Sequence, residues 1–271
     1  MADCCSSSCL AQLVWYGIGR PAFEARLHRR RLQAQTCDGD RREKNVASLV
    51  IMNYSRPQMV MQLAQNYATY VCLDHILVVD CQPGRLALAA SDRLTTVTIT
   101  PDPGLYARFA AAALARSSPV IVIDDDLMAP LESLAALIAE WQKEPDVVHG
   151  VFGRKVDAER RYVMQEIRPP SPVSIVLTRF LAASPDLCAR ALANGARIVR
   201  ELPGLPKGNG EDIVLSLTAM AEARKPNRIH AIPVCELLPY SDPDAISVRW
   251  PGHAEHRTAV VRWCLTHLLK R

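Results

Sequence analysis

Apolar and polar positions keep no sustained period over residues 1–45, whereas from residue 46 onward strand-like and helix-like patterns alternate. Residues 46–52 form an apolar run that stops at Asn53-Tyr54-Ser55-Arg56-Pro57. This predicts a buried strand, a loop, and a helix with Met59, Val60, Leu63 and Ala64 on one face. Residues 75–80 repeat the strand signal, and 94–100 give a third strand rich in β-branched side chains. An alanine-rich helix is expected over 106–116, stopped before Ser117-Ser118-Pro119, and a fourth strand over 120–123. Residues 130–143 place Leu131, Leu134, Leu137, Ile138 and Trp141 at helical spacing, with Pro145 as the stop. The second half is less regular: strands are expected at 147–151, 162–167 and 174–178, and helices at 185–193, 211–223 and 258–269.

Strands alternating with crossover helices predict an α/β fold with a doubly wound, mostly parallel, Rossmann-like sheet. Such sheets bind ligands beyond the carboxyl ends of their strands, so functional residues are expected just after each apolar run. The less regular half is expected to supply the other side of the ligand site. The chain divides into a basic, cysteine-containing tail, 1–45, and a folded domain, 46–271.

Composition adds limits. Of the 271 residues, 49% are apolar, enough for a sizeable core. The net charge of +4 is small, and no nucleic-acid partner is expected. The tail carries two basic clusters, Arg26-His28-Arg29-Arg30-Arg31 and Arg41-Arg42-Lys44. They suit either a solvated segment or one that touches acidic partners or lipid headgroups. The nine cysteines, Cys4, Cys5 and Cys9 grouped and the rest scattered, show no zinc spacing and suit reduced thiols. The apolar stretch 9–18 contains Gln12 and Gly17 and is too short to span a bilayer. A soluble, cytoplasmic protein is expected. An amphipathic helix over 10–32, interrupted by Gly17, Gly19 and Pro21, would instead give weak membrane-surface contact through the tail.

The chemistry concentrates at Asp124-Asp125-Asp126, directly after the strand Val120-Ile121-Val122-Ile123. Adjacent carboxylates at a strand end raise one another's pKa unless a cation or hydrogen-bond donors neutralise them. One aspartate would serve as a helix cap, but three in a row fit a hard divalent cation. Mg²⁺ or Mn²⁺ held by one or two carboxylates, with diphosphate oxygens completing its shell, would capture a nucleotide diphosphate and stabilise it as a leaving group.

Four segments together, Leu49-Val50-Ile51-Met52-Asn53-Tyr54-Ser55-Arg56-Pro57, Ile123-Asp124-Asp125-Asp126, Ser174-Ile175-Val176-Leu177-Thr178 and Gly210-Glu211-Asp212-Ile213, resemble the glycosyltransferase domain of the exostosin-like family. They occur in the same order and at similar spacing, and the resemblance covers about residues 46–265. It implies a GT-A fold and a divalent metal, usually Mn²⁺. It also implies transfer of a hexose or N-acetylhexosamine from a nucleotide diphosphate sugar, UDP favoured, to a hydroxyl of a glycan, lipid or small acceptor with retention. On that resemblance Asp126 binds the metal, and Asp124 and Asp125 contact the ribose or assist the metal. Asn53 and Arg56 lie beside the nucleotide, and Arg108 near the donor. Asp212, with Glu211 beside it, lies near the sugar and acceptor, while Arg257 neutralises the diphosphate. His253 or His256 could complete the metal shell, although carboxylates and phosphates suffice for Mn²⁺.

Two other classes use parts of this pattern. A nucleotidyltransferase also places aspartates at strand ends, but it calls for an early glycine-rich, basic phosphate loop, which this chain lacks. A non-catalytic nucleotide-sugar-binding domain would have no need of the intact triplet together with Glu211-Asp212.

Overall fold

In the computed structural model, described over residues 46–81, 86–100, 102–205, 208–238 and 251–269, the elements follow one another as β1 (Ala47–Asn53), α1 (Pro57–Tyr67), β2 (Leu73–Asp80), β3 (Leu94–Thr98), a 3₁₀ turn (Gly104–Tyr106), α2 (Ala107–Ala112), β4 (Val120–Ile123), β5 (Leu127–Met128) and α3 (Leu131–Lys143). The second half continues with β6 (His149–Gly150), β7 (Gly153–Val156), β8 (Tyr162–Val163), β9 (Ser171–Val173), β10 (Ile175–Val176), β11 (Phe180–Ala183), α4 (Pro185–Glu201), α5 (Glu211–Ala223), β12 (Asn227–Ile229), β13 (Cys235–Glu236) and α6 (His253–His267). The basic clusters, the cysteines up to Cys37, the 10–32 segment and Trp250 lie outside the described residues.

β1 is buried along its whole length because it runs between two parallel neighbours, β2 and β4. A strand covered on both faces must be apolar on both, so it reads as a run rather than an alternation. Successive side chains still point to opposite faces. Leu49 and Ile51 join a core with Met59, Val60, Leu63 and Ala64 of α1 and Leu134, Leu137, Ile138 and Trp141 of α3. Val50 and Met52 join the opposite core, which is closed by α2, α4, α5 and α6. Each fully buried Ile or Leu contributes about 1.5–3 kcal/mol.

The main sheet has eight strands in the order β3-β2-β1-β4-β11-β6-β12-β9. Pairing is parallel from β3 through β4 and again between β12 and β6, and antiparallel where β11 meets β4 and β6 and where β9 meets β12. The fold is thus α/β with a large, mostly parallel central sheet. β7, β8 and β10 make a small second sheet, and β5 with β13 a two-stranded ribbon.

The structure departs from the sequence reading in several places. The helix expected at 106–116 ends at Ala112, and the amides of Arg116 and Ser117 instead donate to Ser48 Oγ at 3.2 and 3.1 Å, turning the chain into β4. α4 runs on to Glu201 rather than stopping near 193. Gly195 does not break it, because that glycine lies against the Tyr106 ring, where an added Cβ would come within 2.2 Å. α6 starts at His253 rather than 258, which puts His253, His256 and Arg257 on its first turns. Among the described cysteines, Cys72, Cys81, Cys188, Cys235 and Cys264 are free thiols, and burial pushes Cys72, Cys188 and Cys264 up to about 12.

Candidate active site

The carboxyl ends of β1 and β4 open into one cleft of about 1100 Å³, its mouth included. One wall comes from the loop after β1, with Tyr54, Ser55 and Arg56, and from Arg108 on α2. The floor is Asp124, Asp125 and Asp126; Thr178, Arg179, Asn209, Glu211, Asp212, His253 and Arg257 close the other side.

The acidic loop is fastened at both ends. Asp124 N–H donates to the Arg179 carbonyl at 3.0 Å, one rung beyond the β4–β11 ladder, and Leu237 N–H donates to the Asp126 carbonyl at 2.7 Å beside the β5–β13 ribbon. Each carboxylate meets a different fate. Asp125 accepts from Arg56 Nη1 at 2.8 Å, and Asp124 accepts from Arg108 Nη1 at 2.9 Å. Asp126 Oδ1 is buried with no hydrogen-bond partner among the described residues. Burial, opposed by Arg56 and reinforced by Asp124, raises Asp125 to about 6. Burial and then Asp124 raise Asp126 to about 7, with Arg179 the strongest counterweight.

Arg108 is itself buried. Burial disfavours its charge, but Asp124 and Glu211, whose Oε1 lies 3.9 Å away, outweigh that and raise its pKa. Glu211 Oε1 also accepts from Thr178 Oγ1 at 2.8 Å, while Oε2 has no partner among the described residues. Burial first, and the Asp212 charge next, push Glu211 up to about 7.

Asp212 and Arg257 form one unit. Arg257 Nη2 donates to Asp212 Oδ2 at 2.5 Å and Nη1 to Asn209 Oδ1 at 3.3 Å, and the guanidinium lies 4.3 Å over the Tyr162 ring. Both side chains are almost wholly buried. Asp212 and Glu211 occupy the first turn of α5, where backbone N–H groups favour negative charge. The segment leading into α5, residues 208–210, is a packed turn. Gly210 has φ +99°, and an added Cβ would meet Val260 of α6 at 3.1 Å.

The structure brings together Arg56, Arg108, Asp124, Asp125, Asp126, Glu211, Asp212 and Arg257, drawn from separated stretches of sequence. It does not bring Asn53 or His256 to the cleft wall. Asn53 still belongs to β1, wholly buried, and donates sideways to Asp80 Oδ1 at 3.0 Å. His256 lies beside Gly252 at the start of α6, and it is His253, one turn before Arg257, that faces the cleft. Burial, then Arg257, lowers His253 to about 4, so it stands there as a neutral ring, 3.3 Å from Asn209 Nδ2. Thr178, Arg179, Asn209 and Tyr162 line the site with no role foreseen from sequence. Thr178 and Arg179 could have been found by extending the rule that functional residues follow an apolar run to 174–178.

Among the described residues, no group of three or more His, Cys, Asp or Glu side chains could by itself hold a metal ion. The cleft nevertheless fits a hard divalent cation. It sets four arginines against five carboxylates, and Asp126 presents a buried, unpartnered carboxylate oxygen. Without an added cation, such a wall would not favour an anion as highly charged as a diphosphate. No described helix is long and apolar enough to cross a membrane.

Among solved structures, the chain is similar to GalNAc-T7 with UDP, GalNAc and Mn²⁺, at TM-score 0.51 and 11% identity, covering 82% of this chain and 48% of that one. The chain therefore spans about half of GalNAc-T7, and the likeness is one of fold, that of GT-A glycosyltransferases. A mannosyltransferase, PcManGT from Pyrobaculum calidifontis in complex with GDP-Man and Mn²⁺, matches at TM-score 0.48 and 19% identity, covering 87% of this chain and 70% of that one. No curated protein sequence matches. The profile of the glycosyl transferase family 64 domain matches residues 47–268, from the first core strand to the end of the last helix, and the chain belongs to that family of glycosyltransferases.

Proposed function

We propose that the chain is an exostosin-like enzyme that moves a hexose or N-acetylhexosamine from a nucleotide diphosphate sugar, UDP favoured, to a hydroxyl of a glycan, lipid or small acceptor, with retention. The observation that carries this reading is the cleft floor: Asp126 keeps a buried oxygen without a partner among the described residues, and arginines at Arg56, Arg108 and Arg257 surround the same space. That is a seat for a diphosphate lacking one cation. GalNAc-T7, of the same fold, was captured with UDP, GalNAc and Mn²⁺, and a donor and ion of that kind are proposed here.

Asp126 and Asp124 would hold Mn²⁺ or Mg²⁺, and Asp125 would contact the ribose or assist them. When bound, the ion supplies positive charge to the departing diphosphate. Arg257, stacked on Tyr162 and fixed by Asp212, adds a second charge that needs no rearrangement as the bond breaks. In the reacting step the acceptor oxygen bonds to the anomeric carbon on the face the diphosphate leaves. The bond from that carbon to the phosphate oxygen breaks, and the acceptor proton passes to the departing phosphate. Glu211, titrating near neutrality, can donate to or accept from a sugar hydroxyl. Asp212 orients Arg257 and borders the sugar and acceptor.

Calorimetry with UDP and GDP, each with Mn²⁺ and after chelation, tests the reading. Binding of one nucleotide that depends on Mn²⁺ is expected. Equal affinity after thorough chelation would remove the metal from the site.

A further inference from the structure

Arg179 sits between β10 and β11, in the wall of the cleft next to the acidic loop. Its guanidinium is held from two sides: Nη2 donates to Glu236 Oε1 at 3.0 Å, and Cζ lies 4.4 Å from the centre of the Phe152 ring. The side chain is only 10% exposed. Its backbone is fixed by accepting the Asp124 amide. Glu236 is fixed in turn by the pairing of β13 with β5, and the next residue, Leu237, donates to the Asp126 carbonyl. The acidic loop is thus bracketed by two chain segments that an Arg179–Glu236 ion pair ties together. A buried arginine ion-paired across such a bracket needs no opening onto the cleft if its task is only to hold the fold, yet Arg179 lines it.

We propose that Arg179 is a donor-binding residue that contacts the diphosphate beside Asp126, and that Glu236 is the positioning residue that aims the guanidinium and sets how much of its charge reaches the cleft. This rests on the nucleotide-sugar reading above. A guanidinium carries five N–H donors in a planar fork, enough to serve a carboxylate and a phosphate together. The charge acts with opposite sign on the two ligands, attracting the diphosphate and repelling the divalent cation that Asp126 would bind. A residue that only braced the fold would move both affinities the same way, together with the melting temperature.

The test uses the full chain as wild type, Glu236→Gln and Arg179→Gln. Three measurements are made on each: Mn²⁺ alone, by the paramagnetic resonance signal of the free ion; UDP and GDP at saturating Mn²⁺, by calorimetry; and the melting temperature. Glu236→Gln removes the counter-charge, so the bound nucleotide should gain affinity and Mn²⁺ alone should lose it, each by about threefold, the size expected where Arg179 is buried but its partner Glu236 is 44% exposed. Arg179→Gln should do the reverse, weakening the nucleotide and tightening Mn²⁺. Unchanged affinities in both variants, or shifts of both ligands in the same direction, overturn the proposal. The wild-type protein serves as the control for the underlying reading. Nucleotide affinity indifferent to Mn²⁺ would sink the metal site, while the nucleotide arm would still decide Arg179, whose contact needs no metal.

Discussion

Replacing Arg257 by Met is the perturbation with the largest calculable effect. It strands Asp212, which is 3% exposed and loses its 2.5 Å partner, keeping as hydrogen-bond donor among the described residues the amide of Ile213 at 2.8 Å. Breaking one side of a buried pair costs about 3–5 kcal/mol, because the remaining charge is left largely desolvated without its direct partner. Loss of the guanidinium from the Tyr162 face removes up to about 2 kcal/mol more, part of which the Met side chain restores by packing. Asp212→Asn strands Arg257 in the same way, softened by its bond to Asn209 at 3.3 Å. The double variant Asp212→Asn/Arg257→Met strands no charge. Its cost should fall short of the sum of the single costs by about 2 kcal/mol. Urea unfolding of the four proteins, in chelator and without nucleotide, measures the cycle. Single costs below about 1 kcal/mol, or costs that simply add, would refute the argument that the pair is one buried unit. The same coupling means that Asp212→Asn should also weaken nucleotide binding, through a guanidinium no longer held in place.

Asp126→Asn should weaken Mn²⁺ binding by roughly tenfold or more, yet leave the chelated protein at pH 8 as stable as wild type or more so, since it removes a buried charge. Melts and Mn²⁺ titrations check both halves. Folding raises the Glu211 pKa from 4.5 to about 7, so its contribution to stability is complete below the unfolded value and is lost as pH rises through about 7. Glu211→Gln should therefore flatten part of the decline in stability between those pH values, as measured by unfolding at a series of pH. Gly195→Ala places a Cβ 2.2 Å from Tyr106 Cε1, and overpacking of that kind costs about 1–3 kcal/mol. A melting temperature within a degree of wild type would show that the Tyr106 ring moves aside freely.

What the sequence disclosed followed from how each element is buried. Strands β1, β2 and β4 are covered on both faces, so each has a continuous apolar run at its centre, and α1 and α3 bury one stripe each, so their spacing is helical. The second half hides its strands. β6 is only His149–Gly150, β7 carries Arg154 and Lys155, and β9 holds a proline, so pairing there is set by register with distant neighbours rather than by a local pattern. The site divides in the same way. The aspartate triplet announces itself because like charges in a row after a buried strand are costly. Arg179 follows the apolar run 174–178, but nothing near it in sequence marks the contact that fixes it, with Glu236, 57 residues further along. Asn53 follows the apolar run 46–52 yet is the last residue of β1, and its side chain donates to Asp80, a pairing that no local pattern marks.

A loop tied down at Asp124 and again at Asp126 has no slack. Adding or deleting one residue between Ile123 and Leu127 would break one of the two main-chain bonds or slip the β5–β13 ribbon out of register. Its length is therefore not free to drift during divergence, whatever sugar the enzyme comes to use. New acceptors must then be accommodated by remodelling outside this segment. Swapping loops between relatives to change specificity should accordingly leave this segment alone and cut outside it.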